Sequence, residues 1–163
     1  MNYLDRINQK IVSRQQAFRK AQQLNNAGKK LVFSNGCFDI LHHGHIEYLA
    51  KAAGFGDVLM IGLNTDDSVK RLKGKDRPLN PENSRAILLA ALQFVDYVVL
   101  FDEDTPYKLI KAVQPDVLVK GKDYKAEEVV GYDIVAAKGG EVKTVEFVEG
   151  FSSSDIMERM KRP

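Results

Sequence analysis

The sequence predicts an α/β protein: a doubly wound, Rossmann-like parallel sheet of five strands, with helices on both faces and a helix added at the N-terminus. Three observations predict it. Short apolar runs recur along the chain, as in Leu31-Val32-Phe33, Val58-Leu59-Met60-Ile61-Gly62-Leu63 and Tyr97-Val98-Val99-Leu100-Phe101. Each is apolar throughout rather than alternating, as strands buried on both faces are. Between them lie segments with helical spacing, so strand and helix alternate as in βα units.

The elements follow in order. Leu4, Ile7, Ile11, Val12, Phe18, Ala21 and Leu24 recur at mostly helical spacing, so residues 4–27 read as one helix stopped by Gly28. Residues 1–28 are therefore expected to be a helical extension, and residues 29–163 the main domain. The first strand is Leu31–Phe33, followed by a helix over 45–53 and a strand over 58–63. A helix over 81–94 opens with Asn80 as cap and Pro81 in its first position. A third strand covers 97–101, and Asp104-Thr105-Pro106 opens a helix to about Val113. Strand 116–119, helix 132–138, strand 142–147 and a last helix capped by Ser152-Ser153-Ser154 complete the chain. Such sheets bind ligands beyond the carboxyl ends of their strands, at the switch point in strand order.

Composition narrows the function classes. At 163 residues the chain suits one domain with a proper core. A net charge of +2 is too small for an extensive nucleic-acid footprint, and no aromatic RNA-binding motif is present. No run approaches the roughly 20 apolar residues that span a bilayer, and the polar start lacks the apolar centre of a secretion signal. The single cysteine, Cys37, cannot form an intramolecular disulfide, which fits a cytoplasmic protein.

The segment richest in chemistry is Ser34-Asn35-Gly36-Cys37-Phe38-Asp39-Ile40-Leu41-His42-His43-Gly44-His45, between the first strand and the next helix. All three histidines of the chain fall within it. His42 and His45 are three apart and can face one ligand across a helix start. Gly44 permits close approach, and free amides at the helix start favour an anion. Imidazole N–H groups could donate to phosphate oxygens as charge develops. A plain pair of surface histidines is the bland alternative. A metal site is the sharper one, but it lacks a third ligand of clear spacing, and Cys37 and Asp39 match a zinc pattern poorly.

The signature His42-x-Gly44-His45, within Asn35-Gly36-Cys37-Phe38-Asp39-Ile40-Leu41-His42, resembles the H-x-G-H nucleotidyltransferase superfamily and its cytidylyltransferase-like branch. Within that branch the chain is most similar to the heptose 1-phosphate adenylyltransferases of lipopolysaccharide precursor synthesis. The likeness runs from about residue 29 to 161. It includes Asn64-Thr65-Asp66, Lys70-Arg71-Leu72-Lys73-Gly74, Arg77-Pro78-Leu79-Asn80, Arg85, Ala90-Ala91-Leu92, Val95-Asp96, Asp104-Thr105-Pro106, Pro115-Asp116, Val119-Lys120-Gly121-Lys122-Asp123-Tyr124 and Gly139-Gly140-Glu141-Val142.

The resemblance implies transfer of an adenylyl group from ATP to D-glycero-beta-D-manno-heptose 1-phosphate, giving ADP-heptose and pyrophosphate. Mg²⁺ would arrive with ATP and bridge its phosphates, with no dedicated protein cage. His42, His45 and Lys75 would be catalytic. Cys37, Phe38, Gly44, Gly121, Asp123, Ser152, Ser153 and Ser154, together with the two histidines, would border the nucleotide. Lys73 and Arg77 would meet the sugar phosphate. Read as sequence alone, the basic stretch Lys70–Arg77 is a Gly- and Pro-marked loop, and the serines are helix caps; either fits these roles as well. The chain departs from the branch at Lys122, where glycine is more usual. Phe147 stands near the position of an arginine in related cytidylyltransferases, which disfavours cytidine. The rivals are a glycerol 3-phosphate cytidylyltransferase and a nucleotide-binding module without catalysis. A separate sugar kinase is expected upstream, and a homodimer is compatible with the sequence. Neither a membrane nor a nucleic acid is an expected partner.

Overall fold

The structure is a computed structural model that describes residues 1–146, 148 and 150–161. Its described residues form one parallel sheet of six strands in the order β1-β4-β3-β2-β5-β6. The strands are β1 (Ile11–Val12), β2 (Leu31–Gly36), β3 (Val58–Asn64), β4 (Tyr97–Phe101), β5 (Val117–Gly121) and β6 (Glu141–Val145). The doubly wound class holds, and the expected count of five strands is corrected to six. The helices are α1 (Tyr3–Asn8), α2 (Arg14–Asn26), α3 (His43–Ala53), α4 (Asp66–Lys73), α5 (Glu82–Ala90), α6 (Tyr107–Val113), α7 (Tyr132–Ala137) and α8 (Ser153–Met160). None is long and apolar enough to cross a membrane.

Side chains alternate along the strands into two cores. Val32, Leu59, Ile61, Leu63, Val98, Val117 and Val119 pack under α3 and α5 through Leu49, Ala52, Ala86 and Leu89. Leu31, Phe33, Met60, Val99, Phe101 and Leu118 pack under α2, α6 and α7 through Ala17, Leu109, Ile110 and Val135. Apolar runs with no polar face are what a sheet covered on both sides requires.

The extra strand comes from the N-terminus, where the single helix expected over residues 4–27 is in fact two helices flanking β1. Asn2 and Asp5 form one capping box, and Ser13 and Gln16 form a second that restarts the chain as α2. The intervening β-branched pair Ile11-Val12 joins the sheet edge opposite Val98 and Val99. Arg14 fixes the junction with a two-pronged ion pair to Glu103 at 2.8 and 2.6 Å.

Other bounds move as well. The basic stretch after β3 is not loop from Lys70 onward: α4 carries Lys70, Arg71 and Lys73, and the loop begins at Gly74. Thr65 caps α4, acidic Asp66 and Asp67 lie in its first turn and the basic residues in its last, matching the helix dipole. The helix read over 81–94 is shorter, Glu82–Ala90, with Pro81 rather than Asn80 at the N-cap. The last strand ends at Val145, and Phe147 lies outside the described residues.

Candidate active site

β2 pairs with β3 along its whole length, from Leu31 opposite Val58 to Gly36 opposite Leu63. Its pairing with β5 on the other side is confined to Val32 opposite Val117 and Phe33 opposite Leu118. Beyond that point the two strands part. This is the switch point in strand order, and a cleft of about 260 Å³ opens at its carboxyl end. Tyr48 of α3 bridges the parting strands. Its hydroxyl lies 2.9 Å from Ser34 Oγ and donates to the Val119 carbonyl at 3.0 Å. Burial pushes the phenol up to about 12, so it stays protonated.

Chain direction and close packing place the histidines at this cleft. After β2 the backbone turns through Phe38, whose φ of 46° is unusual for a bulky residue. A Cβ at Gly36 would lie 3.0 Å from the Phe38 ring and would press on it. Phe38 then meets the His45 ring edge to face at 5.2 Å. His42, the N-cap residue of α3, stacks on His45 with centroids 3.8 Å apart and planes 22° apart. Gly44 leaves room for the stack, because a Cβ there would lie 3.1 Å from the His42 ring and 3.3 Å from the Phe151 Cβ. The space freed by Gly44 is thus filled by protein, a reason for glycine besides phosphate approach. Among the described residues no side chain caps the start of α3, which leaves its first amides available to an anion.

Burial lowers the pKa of both imidazoles. His45 falls to about 4, through burial first and then the charges of His42 and Lys73, against an opposing contact with the Ile40 backbone. His42 is lowered by burial alone, and its buried Nδ1 has no hydrogen-bond partner among the described residues. At neutral pH the pair is therefore uncharged, and an incoming polyanion would favour its protonation. His43 points away from this stack. It is exposed and bound to Glu47 at 2.6 Å.

The loop that carries the signature is held by buried charge. Asp39, almost wholly buried, accepts from Arg77 Nε at 2.7 Å and from the Leu79 and Asn80 amides at 2.8 and 2.9 Å. Burial opposes its ionisation, but the Asn80 and Leu79 amides and Arg77 outweigh that and hold the carboxyl below its usual range. Arg85, with no exposed surface, donates to the carbonyls of Asn80, Cys37 and Asn64 and to the Asp66 carboxylate, at 2.7 to 2.9 Å. It ties the ends of β2 and β3 to the start of α4.

Of the residues expected from sequence, the structure gathers Cys37, Phe38, His45, Lys73, Gly121, Asp123 and Ser153 around the cleft, with His42 stacked behind His45 and Gly44 beneath it. The three serines diverge. Ser152 caps α8 by accepting from the Asp155 amide, and Ser153 donates to the Ile40 carbonyl at 3.2 Å. Ser154 turns to an apolar groove shared with Arg77. Lys75 is exposed in the loop and does not line the cleft, and Arg77 is engaged by Asp39. Burial raises the Cys37 thiol pKa in spite of nearby Lys73, Arg85 and Arg77, so it is a neutral wall of the cleft. Residues that sequence reasoning missed are Asp39 and Arg85 as braces, Tyr48 as the bridge, and Asn35 and Lys120 as part of the lining. A buried arginine resembles any other in sequence. Lys120, closing an apolar strand run, was the one visible signal.

A doubly wound sheet with His-x-Gly-His opening the helix after its central strand defines the H-x-G-H nucleotidyltransferase class. The chain belongs to the cytidylyltransferase-like family, whose pattern matches residues 33–159. It is 60% identical over 141 residues to the bifunctional protein HldE of Nitratiruptor sp., covering 86% of this chain and 30% of that protein. It is 53% identical over 153 residues to the bifunctional protein HldE of Wolinella succinogenes, covering 94% and 31%. The chain thus spans under a third of the length of these relatives. Among solved structures, the lipopolysaccharide core biosynthesis protein of Thermoplasma volcanium is 36% identical with a TM-score of 0.60, covering 74% of this chain and 98% of that one. A pantoate-beta-alanine ligase from Francisella tularensis shares the fold alone, at 17% identity, a TM-score of 0.61 and coverage of 93% and 76%.

Proposed function

We propose that this chain transfers the adenylyl group of ATP to D-glycero-beta-D-manno-heptose 1-phosphate, giving ADP-heptose and pyrophosphate. The observation that carries the reading is the stacked His42–His45 pair at the uncapped start of α3, on the wall of the switch-point cleft. The sequence likeness to heptose 1-phosphate adenylyltransferases and the match to the HldE proteins support the choice of sugar and base.

In this reading the amides at the start of α3 and the two imidazoles hold the outer phosphates of the nucleotide. A phosphate oxygen of the sugar phosphate attacks the α-phosphorus in line. The new P–O bond forms as the bond to the bridging oxygen breaks, and pyrophosphate leaves with the electron pair. The nucleophile is already an anion, so no strong base is needed and catalysis is positioning plus charge stabilisation. Charge develops on the leaving oxygen beside the imidazole N–H groups, where preorganised donors act most strongly. The protonated Cys37 thiol and Tyr48 phenol offer no competing nucleophile. Lys73 neutralises charge at the cleft mouth, with Lys75 joining it once the loop after Gly74 meets the phosphates. The Cys37, Phe38, Gly121 and Asp123 walls border the nucleoside, with Ser153 nearby.

Among the described residues no three His, Cys, Asp or Glu side chains group to hold a metal ion, and Asp39 is committed to Arg77 and two amides. Mg²⁺ would arrive with the nucleotide and offset the charge of its phosphates. The reaction belongs in the cytoplasm, with a sugar kinase supplying the sugar phosphate. The test is a pyrophosphate-release screen of the four nucleoside triphosphates against a panel of sugar and polyol phosphates. ATP with the heptose phosphate is the expected pair. CTP with glycerol 3-phosphate would move the chain to the polyol branch, and binding without turnover would reduce it to a nucleotide-binding module.

A further inference from the structure

β5 ends in Val119, Lys120 and Gly121. Val117 and Val119 face the α3 layer and Leu118 the α6 layer, so strand alternation puts Lys120 on the α6 side. Asn35 of β2 lies on that same side: a Cβ at Gly62 would come within 2.7 Å of Phe33, a member of the α6-side core, and 3.3 Å of the Asn35 Cβ. Asn35 and Lys120 thus occupy one sheet face, at the carboxyl ends of the two strands that part at the switch point. Both line the cleft, across the sheet from α3.

Among the described residues, neither the Lys120 ammonium nor the Asn35 amide oxygen has a hydrogen-bond or ion-pair partner. Lys120 is half-buried and has only the Tyr124 ring beneath it, 5.9 Å from the ring centroid, with no ion pair among the described residues. Lys122, Lys138 and Lys143 are paired with Glu146, Asp116 and Glu141. Asn35 Oδ1 is buried with no hydrogen-bond partner among the described residues. A desolvated ammonium and a desolvated amide oxygen in one cleft are costly unless a ligand completes them. The ligand must offer an anionic oxygen to the first and an O–H or N–H donor to the second. A sugar phosphate offers both. Burial also lowers the Lys120 pKa, which an anion beside it would reverse.

In-line chemistry decides which substrate this is. With the leaving pyrophosphate on the α3 side, the attacking oxygen must approach from the opposite side of the α-phosphorus. We propose that Lys120 and Asn35 form the acceptor subsite: Lys120 binds the phosphate of the attacking sugar phosphate, and Asn35 accepts a hydrogen bond from a sugar hydroxyl. The assignment rests on the reading above only in giving the histidine side to the nucleotide.

The test is calorimetric titration of the full chain, first with α,β-methylene ATP and Mg²⁺, then of the saturated protein with heptose 1-phosphate or inorganic phosphate. Wild type, Lys120→Met and Lys120→Arg are compared. Lys120→Met should weaken heptose 1-phosphate binding about 10- to 100-fold, the range for losing one charged donor. Its affinity for α,β-methylene ATP should stay within about twofold of wild type, and Lys120→Arg should recover part of the loss. A thermal melt no lower than wild type shows that Lys120→Met is folded. Heptose 1-phosphate binding unchanged by Lys120→Met overturns the proposal, as does an equal loss of nucleotide affinity. If wild type binds inorganic phosphate through Lys120 but not heptose 1-phosphate, the acceptor site stands and the proposed sugar fails. Binding of neither titrant to wild type also overturns it.

Discussion

Arg85→Met tests whether buried charge or apolar packing holds the site together. The guanidinium has no exposed surface and makes four hydrogen bonds, three to main-chain carbonyls and one to Asp66. Methionine fills most of the volume and answers none of them. Removing one partner of a buried pair costs about 3–5 kcal/mol, because what remains is desolvated and unpaired. Asp66 is 31% exposed at its side chain and water will screen part of its charge, which favours the lower end. The Asn64 carbonyl, in a buried hydrogen bond, has no such relief. A loss of about 3–4 kcal/mol lowers the melting temperature of a protein this size by roughly 6–16 °C. Urea unfolding followed by circular dichroism reads the first quantity and a thermal melt the second. Arg85→Lys should fall between, since an ammonium lacks the fork that reaches four acceptors. A loss below about 1 kcal/mol in Arg85→Met would refute the reasoning and class Arg85 with ordinary surface positions.

Three further outcomes follow from the site. His45 has a folded pKa of about 4 against 6.5 for an ordinary histidine, so the unfolded chain binds more protons between those values. Stability should therefore rise with pH from about 4 to 6.5 and level off above, by up to about 3 kcal/mol, or about 2 after solvent screening of the partly exposed ring. Urea titrations at pH 5 and 7.5 should show this in wild type, and His45→Gln should flatten it; an equal slope in the variant would assign the effect elsewhere. In steady-state kinetics, His42→Ala and His45→Ala should each lower turnover by roughly two to three powers of ten. His43→Ala should do far less, because its ring is committed to Glu47 outside the stack; comparable losses at all three positions would count against the stacked pair. Lys73→Ala should impair turnover more than Lys75→Ala, since Lys73 lines the cleft and Lys75 does not. The melting temperature of both lysine variants should stay near wild type, and full activity in both would remove the loop from the mechanism.

What the sequence alone determined is what depends on local order. Uniformly apolar runs announced buried parallel strands, and His-x-Gly-His after the first of them marked the candidate site, because both signals are contiguous. The N-terminus reads as one helix for a physical reason: Ile11-Val12 fits helical spacing as well as strand pairing, and only the open edge of β4 makes the pair a strand. Helix α4 could have been read from its Thr65 cap and charge order, but glycine and lysine beyond it made the stretch look like loop. Tertiary structure decided everything that depends on distance across the fold. Arg85 reaches Cys37 over 48 residues, and Tyr48 reaches Val119 over 71. It also committed Arg77 to Asp39 and set Lys120 and Asn35 on the lining of one cleft at the parting of β2 and β5. A linear sequence shows which residues can carry charge. Which charges are buried together is settled only when the strands come into register.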